Sequence, residues 1–132
     1  MIRGIESVLL FSENAKKLAT FYRDVVGLSA GMEGEMGECE ELFEFNLGNC
    51  SLYIMDHSDI RGKSKDPKRM FINIEVDDIE KEMARLKKHK VRVIKDAYHV
   101  QDYGLVATLE DPDGNYFQFV QVRATPAKKK SN

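Results

Sequence analysis

Cysteine is scarce in this chain. Cys39 and Cys50 are the only two among 132 residues. No histidine stands at a spacing that would join them in a zinc site, and two cysteines do not make a disulfide framework. They read as inert thiols rather than nucleophiles. Net charge is also small: the formal value of -2 leaves no electrostatic footprint for nucleic acid. No apolar run approaches the roughly 20 residues needed to cross a bilayer. The start, Met1-Ile2-Arg3-Gly4, lacks the apolar stretch of a secretory leader. With only two cysteines, a reduced cytoplasmic setting is expected. A phosphate-cradling loop is missing too, because Gly31, Gly34 and Gly37 sit among acids without a Walker lysine. The three histidines, His57, His89 and His99, show no triad spacing to a carboxylate and a nucleophile. His89 suits a helix C-terminus, where a cation complements the dipole. His99, beside Asp102 and Tyr103, is the best placed of the three for a role in a site.

What is present is an ordinary soluble composition, 42% apolar and 32% charged, at a length typical of one domain. Such a chain buries roughly two-thirds of its unfolded surface and needs no staples. Residues 5–11 read as a strand, followed by a helix that Ser12 or Asn14 can cap. Ala15, Leu18, Tyr22 and Val25 share one face of that helix, Phe21 and Val26 widen it, and Gly27 fits its C-cap. Three strands fit next, at about 28–33, 41–47 and 50–56. The acidic run 34–40 between the first two is expected to be a loop, and Leu47-Gly48-Asn49-Cys50 a hairpin turn. His57 to Arg69 is charged and aperiodic, the natural linker. Then the order repeats. A strand at 70–76 leads to a helix capped by Asp77 or Asp78, with Ile79, Met83 and Leu86 on one face. A strand at 91–94, a loop through Tyr98, His99 and Asp102, and strands near 104–110 and 115–122 complete the pattern. Asp111-Pro112-Asp113-Gly114-Asn115 is a strong turn between the last two. The fold class is therefore α+β, built from two βαβββ modules. Each is a small, mostly antiparallel sheet with one outer helix, and together they form a cupped site. One domain over 1–122 is expected, with module one at about 1–60 and module two at about 68–122. The basic stretch 123–132 has no packing pattern and reads as a disordered tail.

Four segments carry a family resemblance. They are Phe21-Tyr22-Arg23-Asp24-Val25-Val26-Gly27-Leu28, Ile74-Glu75-Val76-Asp77-Asp78-Ile79, Asp102-Tyr103-Gly104, and Asp111-Pro112-Asp113-Gly114-Asn115 followed by Tyr116-Phe117-Gln118-Phe119-Val120. In this order and spacing the chain resembles the glyoxalase / bleomycin-resistance protein / extradiol dioxygenase superfamily, the vicinal oxygen chelate proteins. The resemblance runs from about residue 5 to 122. It implies paired modules, frequent homodimers, and a site in each cupped sheet. It also implies metal ligands from the first, fourth, fifth and eighth strands, typically His or Gln, Glu, His and Glu. Carried onto this chain, those positions fall on Ser7, Tyr53, Phe71 and Gln118. A divalent ion needs charged or strongly donating ligands, and Phe71 has no lone pair. No metal and no cofactor are expected.

Strand alternation sorts the faces. Leu52, Ile54, Ile72, Ile74, Val76, Phe117 and Phe119 should meet the helices. Ser7, Leu9, Phe11, Tyr53, Met55, Phe71, Asn73, Glu75, Tyr116, Gln118 and Val120 should line the cup. Mostly apolar walls with a few orienting polar groups describe a small-molecule site. The expected ligand-binding residues are Ser7, Tyr53, Phe71, Asn73, Tyr116 and Gln118. The same aromatics could instead fill the cup as core. The leading reading is a metal-independent protein that binds an apolar or aromatic small organic molecule, like the bleomycin-resistance branch, as a cytoplasmic homodimer. The acidic run 33–41 reads first as a solvated loop, and it would also suit a cationic guest by steering it. One alternative is a lyase, isomerase or dioxygenase with unusual metal ligands. Another is an interaction module whose cup is packed shut.

Overall fold

Strands that lie parallel in one sheet need a long crossover, and here a helix starts each crossover. In a computed structural model that describes residues 1–36 and 40–122, the chain divides into two compact units, Met1–Lys63 and Ser64–Asn132. The first unit runs β1 (Ser7–Ser12), α1 (Ala15–Thr20), a π-helical segment (Phe21–Val26), β2 (Ala30–Met36), β3 (Glu40–Leu47) and β4 (Cys50–Asp56). The second runs β5 (Ile72–Glu75), α2 (Ile79–Lys88), β6 (Arg92–Val100), β7 (Gly104–Glu110) and β8 (Tyr116–Val122), after a 3₁₀ turn at Pro67–Arg69. Both sheets have the same order, β1-β4-β3-β2 and β5-β8-β7-β6. In each, the first strand pairs parallel with the last and the remaining pairs are antiparallel. This is the two-module α+β architecture the sequence leads one to expect.

The helices begin alike. Asn14 caps α1 by accepting from the Lys17 N–H at 3.1 Å, and Asp78 caps α2 by accepting from the Lys81 N–H at 3.1 Å. In each unit the last strand also reaches the helix. The Ala15 N–H donates to Asp56 Oδ1 at 2.7 Å, and the Ile79 N–H donates to Gln121 Oε1 at 2.8 Å. Two otherwise orphaned donors are thus satisfied in each first turn. Ser12 does not cap the helix. Its hydroxyl accepts from the Asn14 N–H at 2.9 Å and shapes the approach to it.

Each helix buries one stripe. Ile79, Met83 and Leu86 of α2 are buried, as are Ile74, Ala107, Leu109, Phe117 and Phe119 of its sheet. Full burial of such side chains contributes roughly 1.5–3 kcal/mol each. The Phe117 and Phe119 rings meet edge to face at 5.9 Å. In the first unit Ala15, Leu18, Tyr22 and Val26 are buried, with Phe45, Leu52 and Ile54 of the sheet.

Three expectations need correction. The helix after β1 does not stay α-helical to Gly27: the Gly27 N–H donates to the Tyr22 carbonyl at 3.0 Å, a five-residue step. That wider turn buries Val26 and leaves Val25 half-buried. Gly27, at φ +96°, still ends it as a left-handed C-cap. The acidic run is not a loop throughout, because β2 extends to Met36, with Met36 opposite Glu40 across the β2–β3 ladder; Gly37 to Cys39 lie outside the described residues. Tyr98 and His99 are not in a loop either. They belong to β6, whose register against β7 shifts between Val93 and Lys95 and again between Lys95 and Tyr98. Those irregularities break the period of two that would have revealed the strand. The tail 123–132 lies outside the described residues.

Two features yield measurable expectations. Lys90 closes α2 at φ +60°, while the Val91 N–H donates back to the Leu86 carbonyl at 3.2 Å. A side chain is costly in that conformation, so Lys90→Gly should stabilise the fold by up to about 1 kcal/mol, raising Tm by a few degrees in calorimetry. Asp111 is buried, and its Oδ1 accepts from the Asp113 N–H at 2.9 Å and the Asn115 N–H at 3.0 Å. Asp111→Ala strips both partners and should cost about 2–3 kcal/mol in urea unfolding.

Candidate functional site

Each sheet has a second face that its helix does not cover. In the first sheet, register puts Leu9 beside Tyr53 and Phe11 beside Met55 across the parallel pair. Leu42, Glu44 and Asn46 stand opposite Met55, Tyr53 and Ser51 across the antiparallel one. Ser7 pairs with Ser51 at the start of β1. Met55 and Leu42 are buried, whereas Leu9 and Phe11 keep 47% and 38% of their surface in solvent. The polar centre of this face is Glu44. Its Oε2 accepts from the Tyr53 hydroxyl and from the Ser51 hydroxyl, each at 3.2 Å. Burial pushes the Tyr53 phenol above its usual range, and the charges of Glu44 and Glu6, with the hydrogen bond to Glu44, push it further. Tyr53 is thus a firmly protonated donor.

In the second sheet the corresponding face carries Phe71, Asn73 and Glu75 from β5 and Tyr116, Gln118 and Val120 from β8, with Asn73 beside Gln118 in the parallel register. Phe71 lies just ahead of β5, and its ring stands 6.0 Å from that of Tyr116, tilted by 49°. Val106, Thr108 and Val120, in the middle of this face, are buried. Toward the β5 edge it is open: Asn73 is exposed and Phe71 keeps 40% of its surface. Gln118 Nε2 donates to Thr108 Oγ1 at 2.8 Å, which holds the amide in place. From β6, Lys95 pairs with Thr108 and its ammonium sits 4.0 Å above the Tyr98 ring.

The expected site residues thus fall into two groups. Ser7 and Tyr53 share the helix-free face of the first sheet; Phe71, Asn73, Tyr116 and Gln118 share that of the second. Glu44, Thr108, Lys95 and Tyr98 lie on those faces as well and were not anticipated. His99 stands opposite Leu105, on the other face from Thr108 and Gln118. His57 is tied up locally: its Nδ1 accepts from the Asp59 N–H at 3.0 Å and its ring meets Phe11 edge-on at 5.1 Å. Among the described residues, no three of His, Cys, Asp and Glu gather into a cluster that could hold a metal ion.

Several solved structures have this fold. TnmS3, an antibiotic binding protein from Streptomyces sp. CB03234, superposes with a TM-score of 0.75 at 20% identity, over 92% of this chain and 98% of its own. A putative glyoxalase family protein from Bacillus anthracis gives 0.75 at 21% identity, over 93% and 98%. The trypanothione-dependent glyoxalase I of Leishmania major gives 0.72 at 18% identity, over 91% and 87%. At these identities the likeness is one of fold. No curated protein sequence matches the chain. The family model, by contrast, matches most of its length, residues 4–119, and the chain belongs to the Glyoxalase/Bleomycin resistance protein/Dioxygenase superfamily.

Proposed function

We propose that this is a metal-independent small-molecule binding protein whose ligand is apolar or aromatic. The observation that carries the reading is the open edge of the second sheet, where the exposed Phe71 ring adjoins Tyr116 beside a Gln118 amide held by Thr108. A core-filling Phe71 would be closed to solvent, and this one is not. Aromatic contacts contribute about 0.5–1.5 kcal/mol beyond area burial. Among the described residues, the Gln118 carbonyl oxygen has no protein partner and can accept from a ligand. Asn73, its neighbour on β5, adds a second amide to the same face. On the first sheet Ser7 and Tyr53 supply hydroxyls.

The residues at the superfamily's four metal positions do not fit a divalent ion. Phe71 offers no lone pair, Ser7 and the protonated Tyr53 are weak neutral donors, and Gln118 offers only one neutral carbonyl oxygen. The antibiotic-binding neighbour of the same fold is consistent with a sequestering role. We place the protein in the cytoplasm as a homodimer, since closed two-fold symmetry is the commonest assembly.

Elemental analysis of purified protein should give far less than one divalent metal per chain. About one zinc, nickel or iron per chain, lost together with binding on chelation, would overturn the metal-independent reading. In a ligand-observed magnetic resonance screen of aromatic fragments, saturable hits are expected. Gln118→Ala should weaken them up to roughly tenfold and Phe71→Ala by more. Because Phe71 keeps 40% of its surface in solvent, Phe71→Ala should lower Tm by no more than a few degrees. A collapsed Tm with no hits would mean the face is packed core.

A further inference from the structure

The first sheet carries an anion that has no counter-charge among the described residues. Glu44 lies on the helix-free face, half-buried, with two hydroxyls donating to one of its oxygens. No lysine, arginine or histidine pairs with it among the described residues. Hydroxyl donors orient a carboxylate but do not neutralise it. The backbone makes room for this arrangement. Gly31 of β2 runs so close that a Cβ there would stand 2.8 Å from Asn46 Nδ2 and 3.3 Å from Glu44 Oε1. Glu6 adds a second negative charge near Tyr53. Beyond Tyr53, two strands over from the carboxylate, lies an apolar shelf: Leu9 and Phe11 of β1 are exposed on the same face and Leu9 adjoins Tyr53.

We propose that Glu44 makes the helix-free face of the first sheet selective for organic cations, taking a protonated amine or guanidinium at its carboxylate and the apolar body of the same molecule on Leu9 and Phe11. The inference rests on the reading of these faces as ligand-binding. An ammonium that approaches Glu44 offsets the desolvation its own apolar body imposes on the carboxylate. A neutral ligand of the same shape leaves a covered anion without a counter-charge, and an anionic one is repelled. Tyr53 and Ser51 fix where the charge sits, so the preference belongs to one position rather than to diffuse attraction.

The test uses three probes of one shape on the full chain: 2-(aminomethyl)naphthalene, 2-naphthalenemethanol and 2-naphthoate. Titrations followed by backbone amide shifts should show the amine binding at least roughly tenfold more tightly than the alcohol. The largest shifts should fall at Leu9, Glu44 and Tyr53, and the naphthoate should bind most weakly. Glu44→Gln keeps an oxygen acceptor for both hydroxyls, so the fold should persist. It should erase the preference for the amine, which loses its counter-charge, while the alcohol, freed from covering an unpaired anion, binds no less tightly than to the wild type. Equal affinities for amine and alcohol in the wild type would overturn the inference, and so would a preference that survives Glu44→Gln. If the alcohol binds and the preference is absent, charge selection alone has failed. If none of the probes binds at either sheet, the ligand-binding reading fails with it.

Discussion

The parallel pairing of first and last strand in each sheet is the constraint on which the rest of the molecule depends. A parallel neighbour cannot be reached by a tight turn, so the chain must travel away and return. It leaves through a helix and comes back through two antiparallel strands. The helix has an apolar stripe to bury and takes one face of the sheet. What remains is a second face, and every group discussed as a ligand contact stands there. The same pairing sets the neighbours: Leu9 beside Tyr53 in one sheet, and Asn73 beside Gln118 in the other. It also brings the end of the last strand to the start of the helix. There Asp56 holds the Ala15 N–H and Gln121 holds the Ile79 N–H. A carboxylate and an amide perform one task in two modules, which explains how so little residue identity between the halves coexists with so close a structural repeat.

Much of this was legible in the residues. The spacing of Ile79, Met83 and Leu86 marks a helix stripe, and all three are buried. Leu52, Ile54, Phe117 and Phe119 alternate as strands do and are buried too. The misreadings have local physical causes. A five-residue hydrogen bond from Gly27 to Tyr22 leaves the sequence looking like a plain helix. The register shifts of β6 scramble the alternation by which Tyr98 and His99 would have been recognised as strand residues. The acids before β3 look like a solvated loop, yet ladder pairing carries β2 on to Met36. Pairing partners outweigh local composition, and they are distant in sequence.

Glu44 was missed for a different reason, since the signal for it was present. A two-residue turn between Leu47 and Cys50 sets the hairpin register by counting: 47 opposite 50, 46 opposite 51, 45 opposite 52, 44 opposite 53. Once Tyr53 is assigned to the helix-free face, Glu44 must lie there with it, because direct partners in an antiparallel pair share a face. The same count across the turn at 111–115 sets Thr108 against Gln118. In both sheets the polar side chain on the last strand is therefore held by one on the strand before it. The two outcomes differ in charge. The Gln118–Thr108 pair is neutral and leaves a carbonyl to accept from a ligand, while the Tyr53–Glu44 pair retains a full negative charge behind two hydroxyls. Two modules of one topology thus present unlike chemistry on equivalent faces. That difference follows from single residues at positions the backbone had already brought together.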